Sequence, residues 1–556
     1  MLEQLRAEAA ADGEFQGLLG SHRSRPHAPS PSSSTPEPAA AQAFLREHPR
    51  PRASAVGVLE PAADPVGAPG VAELLADYAA GRRDPREVVA AAVAAAGPDG
   101  PAPTAFWNLT PGAHEAAAES ARRFAAGTAR ALEGVPFGVK DVVDVAGALV
   151  TCGSHLTGDR RADTDATVVA RLRAAGAIPV VMTATTEFAC GSPLNARYGA
   201  AQNPWRAGRW TGGSSTGSAA GVAARVLPFA LGTDTGGSVR VPSSLCGITG
   251  LKPTYGLVPR TGVAALSWTL DHVGPMARSA VDLAHLLTVM AGPDGVDPTA
   301  PPTPPDLTPG VVAGAGALPG RRVGRVRGWF EQRCDATVIA AVDRTVQTLR
   351  AAGAVVVDVE LPAAGNWYAD GLIILSGELT ATQEGHLSDA AHLELFDAGT
   401  RKRLGRGAAA SAADYLRALR GRAQAQRDLA AVMDEAAVEF LVTPAVGTTA
   451  PHLQDLTADV DDERVPLQEI VPRNTSPFNV TGFPAMVLPA GTGRDELPVA
   501  VQFIARPYAD AALLGLGVGL QEVSRYHLAA PPTAPPTAPP TAPPTAPPVV
   551  GTVVAG

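Results

Sequence analysis

Lysine is almost absent from this chain: among 45 Lys plus Arg residues, only Lys140, Lys252 and Lys402 are lysines. Wherever a generic cation suffices the sequence uses Arg, so a retained Lys points to a position that Arg cannot fill. Arg stays protonated at any accessible pH, whereas a buried Lys can lose its proton and act as a base. Cysteine is scarce too. Cys152, Cys190, Cys246 and Cys334 are widely spaced with no Cys-x-x-Cys, which argues against a zinc site or a disulfide framework and fits a reducing cytoplasm. No apolar run reaches the roughly 20 residues a membrane helix needs. The opening Met1-Leu-Glu-Gln-Leu-Arg lacks the basic-then-apolar order of a signal peptide. A net charge of −9 argues against nucleic acid or an anionic membrane as an obligate partner. No Gly-Lys-Ser/Thr follows the glycine-rich loops, so a phosphate loop is excluded. A soluble, cytoplasmic protein is expected.

What is present is ample core: 46% of the 556 residues are hydrophobic. Residues 1–20 read as a short amphipathic helix. Residues 21–65 are largely Pro/Ser-rich and read as a linker without a core of their own. Residues 66–529 form the main body, and the Pro-Pro-Thr-Ala repeats of 530–556 read as a solvated polyproline tail. Within the body, helices are expected from the apolar spacing after Gly70, from Asp84-Pro85 as cap and first helical residue, and over His114–Ala126. Strands and helices then alternate: a strand to Lys140, a helix from Asp165, a strand at Ala177–Met182, and a second set from Arg321 to Glu360. A helical hairpin spans about 372–437 and a strand follows at Phe440–Pro444. The segment Pro293–Leu318 reads as a mobile surface loop. This order predicts an α/β fold, a large mixed, mostly parallel β-sheet covered on both faces by helices.

Three stretches carry chemistry. Gly134-Val-Pro-Phe-Gly-Val-Lys-Asp141 ends an apolar strand on Lys140. Trp210-Thr-Gly-Gly-Ser-Ser-Thr-Gly217 and Gly232-Thr-Asp-Thr-Gly-Gly-Ser-Val-Arg240 present Ser214 and Ser238 in glycine-rich loops. Glycines permit backbone angles that other residues resist and let a ligand approach main-chain N–H groups. A serine after Gly236-Gly237 is placed to attack beside backbone donors. Lys402, in Arg401-Lys-Arg403, reads as a solvated basic patch, and Lys252 as a turn residue. His155 reads as an ordinary surface histidine, Cys190 as a small packed pocket residue, and Asp141 with Asp144 as turn chemistry.

Together GVPFGVKD (134–141), TGGSSTGSAAGVA (211–223), GTDTGGSVRVPS (232–243), CGITGLKPTYG (246–256), LDHVGPMARSAVDL (270–283) and SPFNVTGFPAMVLPAG (476–491) resemble the amidase signature family, with the motifs in that family's order over about four-fifths of the chain. The resemblance implies that the body is a catalytic domain that hydrolyses a carboxamide without cofactor or metal. It implies Ser238 as nucleophile, Ser214 as a proton relay after a cis peptide bond from Gly213, and Lys140 as the neutral base. The backbone N–H groups of Thr235, Gly236, Gly237 and Ser238 would form the oxyanion hole. Gly213, Ser215, Asp234 and Arg240 would support the loops, the last two as an ion pair. One departure is Thr216, where the family usually has Gly; altered loop packing is expected there. The partner implied is a small-molecule amide. A glutaminase subunit of an amidotransferase, a hydrolase of urea-like or carbamate substrates, and a silent scaffold are the alternatives. A homo-oligomer is left open. Trp107, Trp210, Trp268 and Trp367 are candidates for lining the pocket, each with a core role as the commoner fate.

Overall fold

A computed structural model describes residues 1–25, 68–307, 318–461 and 463–532. Its strands are Phe106–Leu109 (β1), Pro136–Lys140 (β2), Ile178–Thr183 (β3), Phe229–Asp234 (β4), Thr249–Lys252 (β5), His272–Ala277 (β6), Arg322–Arg327 (β7), Val355–Glu360 (β8), Phe440–Pro444 (β9), Thr457–Val460 (β10), Glu463–Pro466 (β11), Ala485–Thr492 (β12) and Pro498–Ala505 (β13). All but β10 and β11, which pair as a separate hairpin, join one sheet of eleven strands in the order β1-β3-β2-β4-β6-β5-β12-β13-β9-β7-β8. The strands β2, β3, β4 and β6 are buried along their whole length, as strands covered on both faces must be.

The mixed, helix-covered sheet expected from the sequence is therefore present. Its parallel pairs lie in two flanking groups, β2 with β3 and β4, and β7 with β8 and β9. Parallel neighbours need a crossover, and the helices Thr167–Ala174 and Ala336–Ala351 lie in two of those connections. The strands between the two groups, from β4 through β6, β5, β12 and β13 to β9, pair antiparallel. Local signals place most elements well. Asp84 caps the helix Pro85–Ala95 by accepting from Arg86 N at 2.8 Å, with proline at its first position. The expected helical hairpin is three helices, Ala364–Thr382, Ala398–Ala409 and Ala412–Glu435.

The first twenty residues differ from the single helix expected. They form Leu2–Ala10 (α1) and the start of Gly13–Ser24 (α2), because Asp12 turns from the first helix and caps the second by accepting from Phe15 N. The second helix also runs four residues into the segment read as linker; the rest of that linker, 26–65, and nearly all of the 530–556 tail lie outside the described residues. Phe15 and Leu19 are buried among Ile373, Ala418 and Leu429. Charges ring that contact: Arg406 pairs with Asp12 at 2.7 Å and Glu14 at 2.9 Å, and Arg23 with Asp414 at 2.6 Å. His22 lies inside it, bonded to Asp370 at 3.0 Å and to the Asp414 carbonyl at 3.1 Å. The loop after Pro293 is likewise anchored where it is described, since Asp297 pairs with Arg260 at 3.0 Å. No described helix is long and apolar enough to cross a membrane.

Phe15→Ala removes the largest apolar group that α2 buries, a loss of about 3–5 kcal/mol. The expected outcome is release of the helix pair: trypsin cleavage at Arg6 and Arg23 accelerates about a hundredfold, while the cleavage pattern of the body stays as in the parent. Unchanged cleavage at those arginines would show that burial of this ring does not hold the pair.

Candidate active site

The parallel pairing of β2 with β4, Val139 opposite Leu231, carries the C-terminal ends of both strands to one edge of the sheet. Ligands of α/β sheets bind outside such carboxyl ends. Here Lys140 closes β2, Asp234 closes β4, and the loop from Thr235 to Val239 follows. The helix Thr216–Ala223 begins just after Ser214-Ser215 and packs on β4, which brings the first serine loop to the same edge.

Lys140 is fully buried. Its Nζ donates to Ser214 Oγ at 2.7 Å and to Thr233 Oγ1 at 2.8 Å. Loss of hydration pushes the ammonium down to about 7, against the opposing pull of the Asp234 and Asp271 carboxylates. The peptide between Gly213 and Ser214 is cis. Ser214 is itself buried, and its carbonyl accepts from Thr186 N at 3.3 Å. Ser215 ties the two serine loops together: its N–H donates to the Ser238 carbonyl at 3.3 Å, and its hydroxyl donates to Thr233 O at 3.3 Å. Gly232 leaves room for that hydroxyl, because a Cβ there would come within 2.8 Å of it. Thr216, the departure from the usual glycine, is the first residue of its helix, and its hydroxyl donates to the Ala184 carbonyl at 2.9 Å. The substitution adds a tie between the loop and the end of β3.

The second serine loop is knotted from below. Asp234 accepts from Gly237 N at 2.9 Å, from Val239 N at 3.2 Å, from Asn479 Nδ2 at 2.8 Å, and from Arg240 Nε and Nη2 at 2.9 and 2.8 Å. Full burial alone would raise its carboxyl, yet these partners, Arg240 foremost, hold it far below the usual carboxylate range. Arg240 is satisfied in turn by Thr475 O at 2.8 Å, Gln502 Oε1 at 2.6 Å and Asn479 Oδ1 at 2.6 Å. Gly237 has φ +133°, and a Cβ there would strike Thr475 Oγ1 at 2.2 Å, so glycine is required. Of the four N–H groups expected at an oxyanion hole, that of Gly237 is directed to Asp234 and so belongs to the loop's own bonding. Within 234–240 only Gly236 and Ser238 are partly exposed. The knot thus leaves Gly236 and Ser238 as the partly exposed residues of the loop.

A cavity of about 240 Å³ opens beside Thr233 and Thr235. Thr235 donates its hydroxyl to Asp271 at 2.6 Å, and burial pushes that carboxyl up to about 6. The sequence motifs contain Asp271 and Asn479, and Thr475 directly precedes one of them, yet no residue pattern signals their contacts with the serine loop. Glu187 is equally silent in the sequence: Ser154 Oγ donates to it at 2.7 Å and Asp397 N at 2.8 Å. Burial, with the Asp397 charge nearby, pushes it upward.

The remaining candidates separate cleanly. Lys252 is no turn residue. It ends β5, is fully buried, and its Nζ lies 2.7 Å from Phe483 O, 3.2 Å from Pro253 O and 3.2 Å from His272 Nε2. Cys190 is buried with its thiol pushed up to about 12 by burial, Asp141 accepts from Thr151 N at 2.9 Å in a turn, and His155 is exposed. Trp210 and Trp367 are core residues, and Trp107 stacks on Tyr198. Trp268 is 49% exposed and lines the cavity. Among the described residues no cluster of His, Cys, Asp and Glu could hold a metal ion.

Comparison with known proteins bears on the family and the fold. The family model described as Amidase matches residues 91–514. One component of the glutamyl-tRNA(Gln) amidotransferase of Chloroflexus aggregans is 38% identical over 482 residues, which cover 82% of this chain and 96% of that protein. The native peptide amidase of Stenotrophomonas maltophilia superposes with a TM-score of 0.72 at 30% identity, over 85% of this chain and 99% of that one. A structure from a vestigial protein complex, bearing on the origins of an s-triazine catabolic enzyme, gives a TM-score of 0.77 at 32% identity, over 82% of this chain and 98% of that one.

Replacing Asp234 with Asn leaves the Arg240 guanidinium buried without its counter-charge. Breaking one side of such a pair costs about 3–5 kcal/mol. The urea midpoint is expected to fall accordingly, and Asp234→Asn with Arg240→Met is expected to cost less than the two single changes added together. Additive losses would mean that the two side chains act separately.

Proposed function

Because the chain belongs to the amidase family, we propose that it is a cofactor-independent amidohydrolase that cleaves a carboxamide C–N bond through an acyl-enzyme on Ser238. The observation that carries this reading is the fully buried Lys140 with its Nζ 2.7 Å from Ser214 Oγ. An amine shifted to about 7 is half deprotonated near neutral pH, where an exposed lysine is almost wholly charged. In the reaction, Ser238 Oγ attacks the amide carbon, Ser214 takes the Ser238 proton, and Ser214 passes its own proton to neutral Lys140. The tetrahedral oxyanion is held by the N–H groups of Thr235, Gly236 and Ser238, with Gly237 bracing the loop through Asp234. A missing donor of this kind typically costs about 2.7–4 kcal/mol of barrier. The relay then returns a proton through Ser214 to the leaving nitrogen, the C–N bond breaks, and ammonia or an amine departs. Water attacks the Ser238 ester by the same route in reverse and releases the acid. Every step is a proton or acyl transfer and balances with water alone.

A second reading is favoured by the relatives that are components of a tRNA-dependent amidotransferase. In it the same site hydrolyses glutamine and hands ammonia to a partner. Glutaminase activity measured with and without candidate partners separates the two.

Ammonia release across an amide panel tests the reaction. Ser238→Ala and Lys140→Ala are expected to lower kcat/KM by at least about a thousandfold. Lys140→Arg should be no better, since a guanidinium cannot give up its proton. The base must be neutral, so kcat/KM rises with pH through about 7 as Lys140 deprotonates. Parent-like rates in either alanine variant would refute the assignment.

A further inference from the structure

The 240 Å³ cavity beside Thr233 and Thr235 has a wall chemistry that discriminates among amides. One side is apolar, built from Val263, Ala264, Ala265, Leu266 and the half-exposed indole of Trp268. The polar side holds two carboxylates, Asp271 and Asp297, against one guanidinium, Arg260. That guanidinium is wholly engaged. Its Nε donates to Asp297 Oδ2 at 3.0 Å, and its Nη2 to Asp297 Oδ1 at 3.1 Å and Thr299 Oγ1 at 3.0 Å. Its Nη1 serves the Trp268 carbonyl and, at 3.5 Å, the Tyr255 hydroxyl. An arginine has five N–H donors, and here each has an acceptor. The other basic group on the wall, His272, is held neutral by burial and by Lys252 beside it. A ligand carboxylate in this cavity would meet two like charges and, among the described lining residues, no cation with a free donor.

We propose that this cavity is the acyl subsite and that it selects uncharged amides with an aryl or extended apolar acyl group, stacked on Trp268, over amides bearing a carboxylate such as glutamine. The inference rests on the amidohydrolase reading for the identity of the reacting group, and it names the substrate class. The wall that does the selecting is held in advance. Asp271 accepts from Leu266 N at 2.9 Å and Ser267 N at 3.0 Å as well as from Thr235. On the outer side Glu378 accepts from Ser267 Oγ at 2.5 Å and from Thr269 N and Oγ1 at 3.1 and 2.8 Å. The Trp268 segment is thus pinned between two carboxylates, and Asp271 bonds both that segment and the loop that carries Ser238. With its backbone held on both sides, the Trp268 indole is carried on a fixed support, which lowers the cost of ordering the site on binding. An exposed tryptophan at a cavity mouth offers an aromatic contact of offset or edge geometry.

Calorimetric titration of the full-length Ser238→Ala chain with benzamide, acetamide and glutamine reads the subsite without turnover. Benzamide is expected to bind at least about tenfold more tightly than glutamine. Trp268→Ala, a change at an exposed side chain that leaves the Arg260–Trp268 carbonyl bond available, is expected to weaken benzamide about tenfold and leave acetamide unchanged. Asp297→Asn frees part of Arg260 and is expected to move the benzamide-to-glutamine ratio toward glutamine. Tighter binding of glutamine than benzamide, no heat from benzamide, an equal loss for acetamide and benzamide in Trp268→Ala, or an unmoved ratio in Asp297→Asn would overturn the inference. The two readings fail differently. A chain that binds benzamide as expected but hydrolyses no amide loses the reaction and keeps the subsite; one that hydrolyses glutamine in preference loses the subsite selectivity and keeps the reaction.

Discussion

The structure depends on keeping one amine out of water. In the proposed reaction Lys140 can act as a base only while its hydration is withheld, and the elements around it withhold it. The strands β2, β3 and β4 are buried along their whole length, and the first helix after Ser214 is buried at every position. Among the described residues, the polar atoms offered to Nζ by hydrogen bond are two hydroxyls, Ser214 and Thr233. Neutral partners satisfy an amine without forcing it to stay charged, which a carboxylate at the same distance would do. The two carboxylates that do influence it, Asp234 and Asp271, are turned to other work: one to Arg240 and the loop N–H groups, one to Thr235 and the Trp268 segment.

The Asp234–Arg240 knot answers a different need. A serine in a glycine-rich loop, as Ser238 is, is geometrically free but entropically costly to hold. Six bonds to Asp234 and Arg240 from Gly237, Val239, Asn479, Thr475 and Gln502 freeze that loop from its buried side. The same arrangement explains why Arg240 is arginine in a chain where lysine is rare. Its planar fork reaches five acceptor atoms on four residues at once, which the single ammonium of a lysine would not.

Much of this was legible in the sequence where one residue's chemistry was sufficient signal. Lys140 stood out because arginine cannot replace a titrating lysine, and the serine loops because paired glycines flank them. Strand Val355–Glu360 and strand Phe440–Pro444 fall where apolar runs bounded by turn residues put them. What stayed hidden were properties created by distant pairing. Lys252 precedes a proline and reads as a turn; it is buried because β12 pairs across it, Ala485 opposite Lys252. Gly237 N reads as a free donor until the Asp234 side chain is seen beneath it. The break between α1 and α2 lay in a single cap, Asp12, inside a stretch whose leucine spacing suits one continuous helix. Asp271 has no local sign of its role at all, since its hydrogen-bond partner Thr235 is on another strand's loop.

The register of β4 against β6, with Asp234 opposite His272, has a geometric corollary. It fixes Thr235 and Asp271 as the next facing positions, so the serine loop and the segment 260–271 hang from the same end of one ladder. On the proposed reading, exchanges in that segment would alter the cavity wall while leaving both strands in place. A one-residue slip within either strand would uncouple the serine loop from that segment.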